Sequence, residues 1–136
     1  VAMTKSLDGA IDGVRTAIAT MTGLTRVYTD PPASLSEFPC AFVVAASGEM
    51  SDTGAGGLAF HSIAIEIYQA PNITAAAVDG AKVWPDRVFA ALATDPTLGG
   101  TVTHIRWPLT YQALGLQYNN VTHYGMRFVC TVKVLE

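Results

Sequence analysis

The amino-acid sequence predicts an α+β fold, in which two helices pack on an antiparallel or mixed sheet of four to five strands. Apolar residues near the N-terminus recur at helical spacing, whereas those near the C-terminus alternate with polar ones as in a half-buried strand. The 136 residues suit one domain with one core, and half of them are apolar. We therefore expect a single domain over residues 1–136, with the element order α-β-β-β-α-β-β.

The first helix is predicted from apolar residues at spacings of four, three, four and three, namely Leu7, Ile11, Val14, Ile18 and Met21. Thr4 or Ser6 is a candidate N-cap, because a hydroxyl can accept a hydrogen bond from the first helical turn. Gly23 stands where a helix ends in a left-handed residue.

The first strand is predicted over residues 24–29, and a proline-rich link follows it. Pro31 and Pro32 cannot donate backbone hydrogen bonds to a sheet, so the strand ends before them. Proline fixes its own φ and restrains the residue before it. Residues 30–39 should therefore form a stiff, largely extended link that leads into the second strand.

The second and third strands are predicted from different patterns. The run CAFVVAAS after Pro39 is apolar on both faces, which indicates a central strand covered on both sides. Gly48–Gly57 is small, polar and glycine-rich, so we expect a mobile loop. In the run LAFHSIAIEIYQ that follows, alternation places Ile63, Ile65 and Ile67 on one face. The opposite face carries Ser62, Ala64, Glu66 and Tyr68.

A second helix is predicted from about Asn72, with an apolar stripe made of Ile73, Ala77, Trp84, Val88 and Leu92. Pro85 interrupts this helix. A proline in a helix interior costs about 3 kcal/mol unless it lies in the first turn. We therefore expect a kink or a restart at Trp84.

Two long strands are predicted at residues 101–111 and 121–135, joined by a loop over Gln112–Asn120. In the last strand, six alternate positions form one apolar face: Tyr124, Met126, Phe128, Cys130, Val132 and Val134. The opposite face carries Arg127, Thr131 and Lys133. Core packing accounts for Trp107 and Tyr111. Tyr118, beside Asn119 and Asn120, is expected to be exposed at the tip, since tyrosine is favoured in protein interfaces.

The composition favours a subunit of an assembly over a nucleic-acid-binding or membrane protein. Only 14% of the residues are charged, below the roughly 25% typical of soluble domains. The net charge is −3 and no basic stripe exists, which disfavours tight nucleic-acid binding. There is no signal-peptide pattern and no run of about 20 apolar residues. We therefore expect a protein made in the cytoplasm.

No constellation of catalytic, cofactor-binding or metal-binding residues stands out. His61, His104 and His123 lie in or beside strands and lack the spacing of a metal site, so we expect surface or interface histidines. Cys40 and Cys130 lie in apolar strands, which favours two buried thiols over a disulfide.

Two further features have only weak functional signals. Glu66 lies in the middle of a strand, where a solvent-facing position is favoured. The run GAGG at residues 54–57 precedes a strand rather than opening a helix, so it is a poor candidate for a phosphate loop. We therefore predict no catalytic residue, no cofactor and no metal.

Four phrases nevertheless carry a family resemblance: LTRVYTDPPASLSEFPCAFVV, IAIEIYQAPN, WPDRVFAALATDPTLGGTVTHI and HYGMRFVCTVKV. With the order of elements, they resemble the tail terminator (tail completion) proteins of long-tailed bacteriophages and related minor tail proteins. The resemblance covers nearly the whole chain. It implies a non-enzymatic subunit of a six-membered ring that caps the tail tube, halts its polymerisation and offers a docking surface to the head connector.

The resemblance also implies where partners would bind. The partners would be further copies of this chain, the tail tube protein and the head–tail connector, with DNA only passing through the channel and no membrane. The site would be the virion tail or neck, after assembly in the host cytoplasm. The candidate contact residues lie on the proline-rich link and the two predicted loops: Leu35, Phe38, Glu49, Asp52, Tyr118, Asn119 and Asn120.

Three alternatives stay open at this stage. The first is a head–tail connector or other neck protein. The second is a small hydrolase that uses His104 or His123 with Glu66. The third is a small-molecule binding module, which requires a preformed apolar pocket.

Overall fold

The computed structural model describes residues 5–136, apart from the side chain of Leu114, and it confirms the α+β class. Five strands form one sheet in the order β1-β2-β3-β5-β4. The sheet is mixed, because β1 is parallel to β2 and the other neighbours are antiparallel. In chain order the elements are α1 Leu7–Ala19, β1 Arg26–Val27, β2 Cys40–Asp52, β3 Gly57–Ala70, α2 Ala75–Ala81, α3 Trp84–Thr94, β4 His104–Tyr118 and β5 Val121–Leu135.

Helix α1 begins where its sequence predicts, but it ends at Ala19 with Thr20 as its C-cap, before Met21 of the predicted stripe. The Ser6 hydroxyl accepts a hydrogen bond from the Gly9 amide at 3.0 Å and so caps the first turn. Thr4, the other candidate cap, lies outside the described residues. Gly23 follows the helix with a φ of 95°, a left-handed conformation that glycine adopts without steric cost.

The second predicted helix is two helices, α2 and α3, and the restart falls at Trp84 as expected. Pro85 lies in the first turn of α3, where its missing amide hydrogen leaves no helical hydrogen bond unmade. The buried Trp84 indole donates to the Gln69 side-chain oxygen at 2.7 Å. Ile73, predicted for the apolar stripe, instead lies before α2 and is 60% exposed.

All three helices pack on one face of the sheet, where the main core lies. The predicted alternation is confirmed in β3 and β5, because every residue assigned to the inner face is buried: Ile63, Ile65, Ile67, Tyr124, Met126, Phe128, Cys130, Val132 and Val134. Fully burying a large apolar side chain contributes about 1.5–3 kcal/mol. These two central strands therefore contribute much of the stability of the fold.

The predicted mobile loop Gly48–Gly57 is wrong, because most of it is strand. β2 continues to Asp52, β3 begins at Gly57, and only residues 53–56 form the turn. The Thr53 amide donates to the Gly56 carbonyl at 2.9 Å across that turn. Backbone pairing with β3, itself held by β5, orders this segment although its side chains have no apolar pattern.

The predicted loop Gln112–Asn120 is wrong for the same reason. β4 runs to Tyr118, and the turn consists of Asn119 and Asn120 alone, with φ values of 52° and 64°. Asparagine tolerates this left-handed conformation, which matches the twist of a two-residue hairpin. Two other boundaries also shift, since β4 begins at His104 rather than at residue 101 and β1 is only Arg26–Val27.

A bulge interrupts the pairing of β4 with β5. Arg106 lies opposite Thr131, but the next paired residue, Thr110, lies opposite Val129. Three residues, Trp107 to Leu109, therefore face a single position of β5. Pro108 is tolerated there because a bulge does not need its amide hydrogen.

Candidate functional site

An apolar groove of about 630 Å³ lies between α3 and the bulge of β4. The rings of Phe89 and Trp107 contact each other across it, with centroids 5.3 Å apart. Their exposed fractions are 55% and 42%, and that of Tyr111 is 53%. Pro85, Pro96, Pro108 and Leu109 complete much of the lining. Exposed apolar surface gathered in one place is typical of a site where another molecule packs.

The sequence-based assignment of Trp107 and Tyr111 to the core is wrong, and the groove they line was not predicted. Trp107 lies in the bulge of the outermost strand, beside the exposed Phe89 ring, and no spacing in the sequence shows a bulge. Phe89 did leave a signal. It follows Val88 directly and so lies outside the buried stripe of Trp84, Val88 and Leu92. The helical spacing therefore predicts an aromatic ring on the outer side of α3.

The outer edge of β4 is open along much of its length. Within residues 5–136, β4 is the last strand of the sheet and β5 is its only neighbouring strand. Residues 110–117 contain no charged residue and no proline. Exposed edge strands normally carry such residues, because unpaired backbone groups otherwise attract another strand. This segment has no such protection.

A second open edge lies at the opposite side of the sheet, on the distal half of β2. β1 pairs only with Cys40 and Ala41, and residues 45–52 are all exposed. Glu49 and Asp52, two of the predicted contact residues, lie here, and residues 45–57 contain no basic side chain. Met50 is 67% exposed, the largest exposed fraction among the large apolar side chains of the described residues.

The proline-rich link folds over the sheet face that the helices leave uncovered. Leu35 and Phe38, predicted to project towards a partner, are half-buried against a second apolar cluster. Its buried members are Tyr28, Cys40, Phe42 and Tyr68. The link therefore is a connector, as predicted, and its apolar side chains contact this chain. Their role in assembly stays a prediction.

Tyr118 and Asn119 hold the proline-rich link in place by hydrogen bonds. The expectation that Tyr118 is exposed at the tip of a loop is therefore wrong. The Tyr118 hydroxyl donates to the Pro32 carbonyl, and the side-chain amide of Asn119 donates to the Ala33 carbonyl. The Tyr118 ring packs 5.7 Å from that of Phe42 and is half-buried. Asn120 completes the turn and is exposed. Assembly roles for these three residues also stay predictions.

Glu66 is half-buried and has two partners, so its predicted solvent-facing position is wrong. It accepts a hydrogen bond from the Tyr68 hydroxyl at 2.6 Å and lies 3.8 Å from the Arg127 guanidinium. Burial, together with this hydrogen bond, raises the pKa of Tyr68. A half-exposed ion pair of this kind contributes at most about 1 kcal/mol.

The three histidines do not converge with Glu66. His61 and His123 are each only 7% exposed, against the prediction, whereas His104 is exposed as expected. His104 and His123 lie at registers ten residues apart on β5, which is about 33 Å along a strand. Within residues 5–136, no three His, Cys, Asp or Glu side chains come close enough to hold a metal ion.

Cys40 and Cys130 are buried free thiols, as predicted. Burial, with a smaller contribution from Glu37, raises the pKa of Cys40 to about 11. Burial alone raises the pKa of Cys130 to about 12. Neither thiol is activated as a nucleophile would be, because activation requires a lowered pKa.

Comparison with protein-family models and with curated protein sequences found no match to this chain. No helix among residues 5–136 is both long and apolar enough to cross a membrane.

Proposed function

We propose that the protein is a structural, non-enzymatic subunit that assembles into a ring and caps a phage tail tube. The observation that carries the proposal is the unprotected outer edge of β4, residues 110–117, beside the apolar groove of Phe89 and Trp107. An edge with neither charge nor proline is stable in solution when another chain covers it. A further copy of the same chain is the simplest cover.

Two different open edges support a ring rather than a two-fold dimer. The outer edge of β4 and the distal half of β2 lie at opposite sides of one sheet and differ in shape and charge. A contact between unlike patches is heterologous, and it closes into a ring when the rotation between copies divides a full turn. We propose six subunits per ring, as in the family that the sequence resembles.

The assignment to the tail end rests on the resemblance, and the charge of the chain is compatible with it. A net charge of −3 and only eight Lys and Arg residues offer little to hold a row of phosphates. A ring of such subunits lets DNA pass without gripping it. The same properties suit a head–tail connector. The position of the protein in the virion therefore distinguishes the terminator role from the connector role.

The first test is genetic. The coding region should lie directly upstream of that of a major tail tube protein, and its deletion should give tubes longer than normal. Complementation with the intact gene should restore tube length. Tubes of unchanged length would refute the capping role.

The second test locates the protein by cryo-electron microscopy of the virion. The proposal expects a ring at the end of the tail tube. Density against the portal, with the tube end made by another protein, would favour the connector role instead.

A further inference from the structure

We propose that Arg106 binds a single carboxylate group of a partner protein, an aspartate or glutamate side chain, in a polar recess on the sheet face opposite the helices. The recess has a volume of about 300 Å³. Its lining consists of Ser47, Gly48, Glu49, Phe60, Ser62, Arg106 and Thr131. All of these residues belong to one copy, so this inference does not depend on the proposed ring.

Strand alternation and register bring the lining residues to the same face. Ile63 of β3 is buried on the helix side, so its neighbour Ser62 lies on the other side. Arg106 lies opposite Thr131, and Thr131 lies opposite Ser62, so these three residues form one row across β4, β5 and β3. Phe60 is two residues from Ser62 along β3 and shares its face.

The Arg106 guanidinium is held in position but has no acceptor for its hydrogens. Its central carbon lies 4.9 Å from the centre of the Phe60 ring. Stacking uses the flat face of the guanidinium and leaves its N–H groups, which lie in the plane, free to donate. Among residues 5–136, the Arg106 side chain forms no ion pair and donates no hydrogen bond, although Glu49 borders the same recess.

Two other arginines of this chain show what completes a stacked guanidinium. Arg26 lies at the same 4.9 Å from the centre of a tyrosine ring, and it also pairs with the Glu37 carboxylate at 3.5 Å. Arg87 stacks on a tryptophan ring and donates to the Thr22 carbonyl oxygen at 2.8 Å. Arg106 has the aromatic ring but lacks the oxygen. A carboxylate from a partner would supply it.

Neighbouring side chains add charge and a further donor. Lys133 lies diagonally across from Arg106 on the same face, and its ammonium forms no ion pair among residues 5–136. The Ser62 and Thr131 hydroxyls are 3.2 Å apart and share one hydrogen bond. One hydroxyl hydrogen of this pair is therefore left to donate to a ligand. A carboxylate accepts such bonds strongly, because charge strengthens them.

Glu49 favours a single anionic group over a polyanion such as DNA. It borders the recess from β2, whereas Arg106 borders it from β4, two strands beyond. A row of phosphates that crossed the recess would bring negative charge against Glu49, but one carboxylate beside Arg106 would not. The net charge of −3 also disfavours a bound nucleic acid. The recess therefore suits an acidic side chain of a protein.

Titration with blocked amino acids, followed by two-dimensional proton–nitrogen NMR, tests the proposal. Acetyl-glutamate methylamide is the carboxylate probe, and acetyl-glutamine methylamide is its uncharged counterpart of nearly the same shape. The glutamate probe should shift the Arg106 side-chain signal with a saturable dependence on concentration, and the glutamine probe should not. Added NaCl should weaken the binding, because salt screens exposed charges.

Substitutions identify the residue that binds the probe. Arg106→Gln should lower the affinity for the glutamate probe by roughly fivefold or more, because it removes the charge-assisted hydrogen bonds. Arg106→Lys should restore the affinity only in part, since an ammonium lacks the planar fork of a guanidinium. Arg26→Gln is the matched control, because Arg26 is also exposed and stacked on an aromatic ring but lies outside the recess lining. The backbone signals check that each variant folds.

The remaining outcomes each decide a separate point. Inorganic phosphate or a short DNA duplex that binds through Arg106 more tightly than the glutamate probe would overturn the choice of a protein carboxylate. Equal shifts with both blocked amino acids, or binding that survives Arg106→Gln, would overturn the site itself. Either result leaves the ring proposal standing, because oligomeric state tests that proposal separately.

Discussion

At the scale of single residues, burial raises the pKa of the two thiols and of Tyr68. Cys130 is almost fully buried, and desolvation raises the pKa of its thiol. Tyr68 is both buried and bonded to Glu66, and both effects keep its proton on. His123 is buried beside Phe38 and Tyr68, with its Nδ1 atom unpaired.

The raised pKa of Cys130 predicts a loss of stability at alkaline pH. The thiol ionises near pH 9 in the unfolded chain but only near pH 12 in the fold. Its contribution to the free energy of unfolding is therefore full below pH 9 and falls between pH 9 and pH 12. Urea unfolding across this range should show a shallower decline for Cys130→Ala than for the wild type. Parallel curves would show that this thiol keeps an ordinary pKa.

Gly125 should tolerate no side chain. A Cβ atom there would lie 2.2 Å from the Ile67 carbonyl oxygen and 3.1 Å from the Tyr68 Cα, and these backbone atoms belong to the central strand β3. Gly125→Ala should lower the free energy of unfolding by about 1–3 kcal/mol or more.

Gly9→Ala is the control for this substitution. In helix α1 the new methyl group would meet only the Ser6 hydroxyl at 3.3 Å, and alanine favours the helix by up to about 1 kcal/mol. Urea unfolding should therefore give a lower free energy of unfolding for Gly125→Ala than for the wild type, and an equal or higher one for Gly9→Ala. Equal losses from both substitutions would contradict the close packing of β3 and β5.

At the scale of elements, the sequence predicted the helices and strands that have a buried apolar face. The alternation in β5 marks a core face and was located correctly. In the α1 stripe Val14 and Ile18 are buried as predicted, whereas Leu7 is exposed. The restart at Trp84 followed from the missing amide of Pro85. The distal part of β2 and the second half of β4 escaped prediction because backbone pairing, not side-chain burial, makes them strands. No local pattern records such pairing.

The candidate site was harder to predict than the fold. Glu49 and Asp52 were named, but they lie on a strand edge and not in a loop. Leu35 and Phe38 were named as contacts, yet the link folds them onto the sheet. The groove is lined by residues of the β4 bulge and of α3, and both the bulge and the packing of α3 beside it depend on residues distant in sequence. Long-range placement of this kind is absent from the local sequence.

Trp107 should matter for assembly more than for stability. Its side chain is 42% exposed at the mouth of the groove, so Trp107→Ser should cost little folding free energy. If the groove binds a neighbouring copy, assembly should weaken by at least tenfold. A buried aromatic residue at an interface commonly contributes about 2 kcal/mol or more to binding.

Val83→Ser is the matched control, because Val83 is 38% exposed but lies at the junction of α2 and α3, outside the groove lining. Mass photometry compares assembly, and thermal unfolding compares stability. Equal assembly by both variants would exclude the groove from the contact.

At the scale of the whole molecule, the helices pack on one face of the sheet, the proline-rich link packs on part of the other face, and the two edges differ. One side ends in an uncharged edge beside an aromatic groove, and the other ends in an acidic hairpin. The two sides therefore present unlike surfaces, which a heterologous contact requires. The low content of charge agrees with a surface that neighbours largely cover.

Sedimentation velocity of the purified protein over a wide concentration range tests the ring most directly. The account predicts a closed species at high concentration with six times the 14.3 kDa mass of the chain, and no larger species. Closure is the decisive property, because a heterologous contact that did not close would give open chains of increasing length. A protein that sediments as a monomer at every concentration would contradict the account.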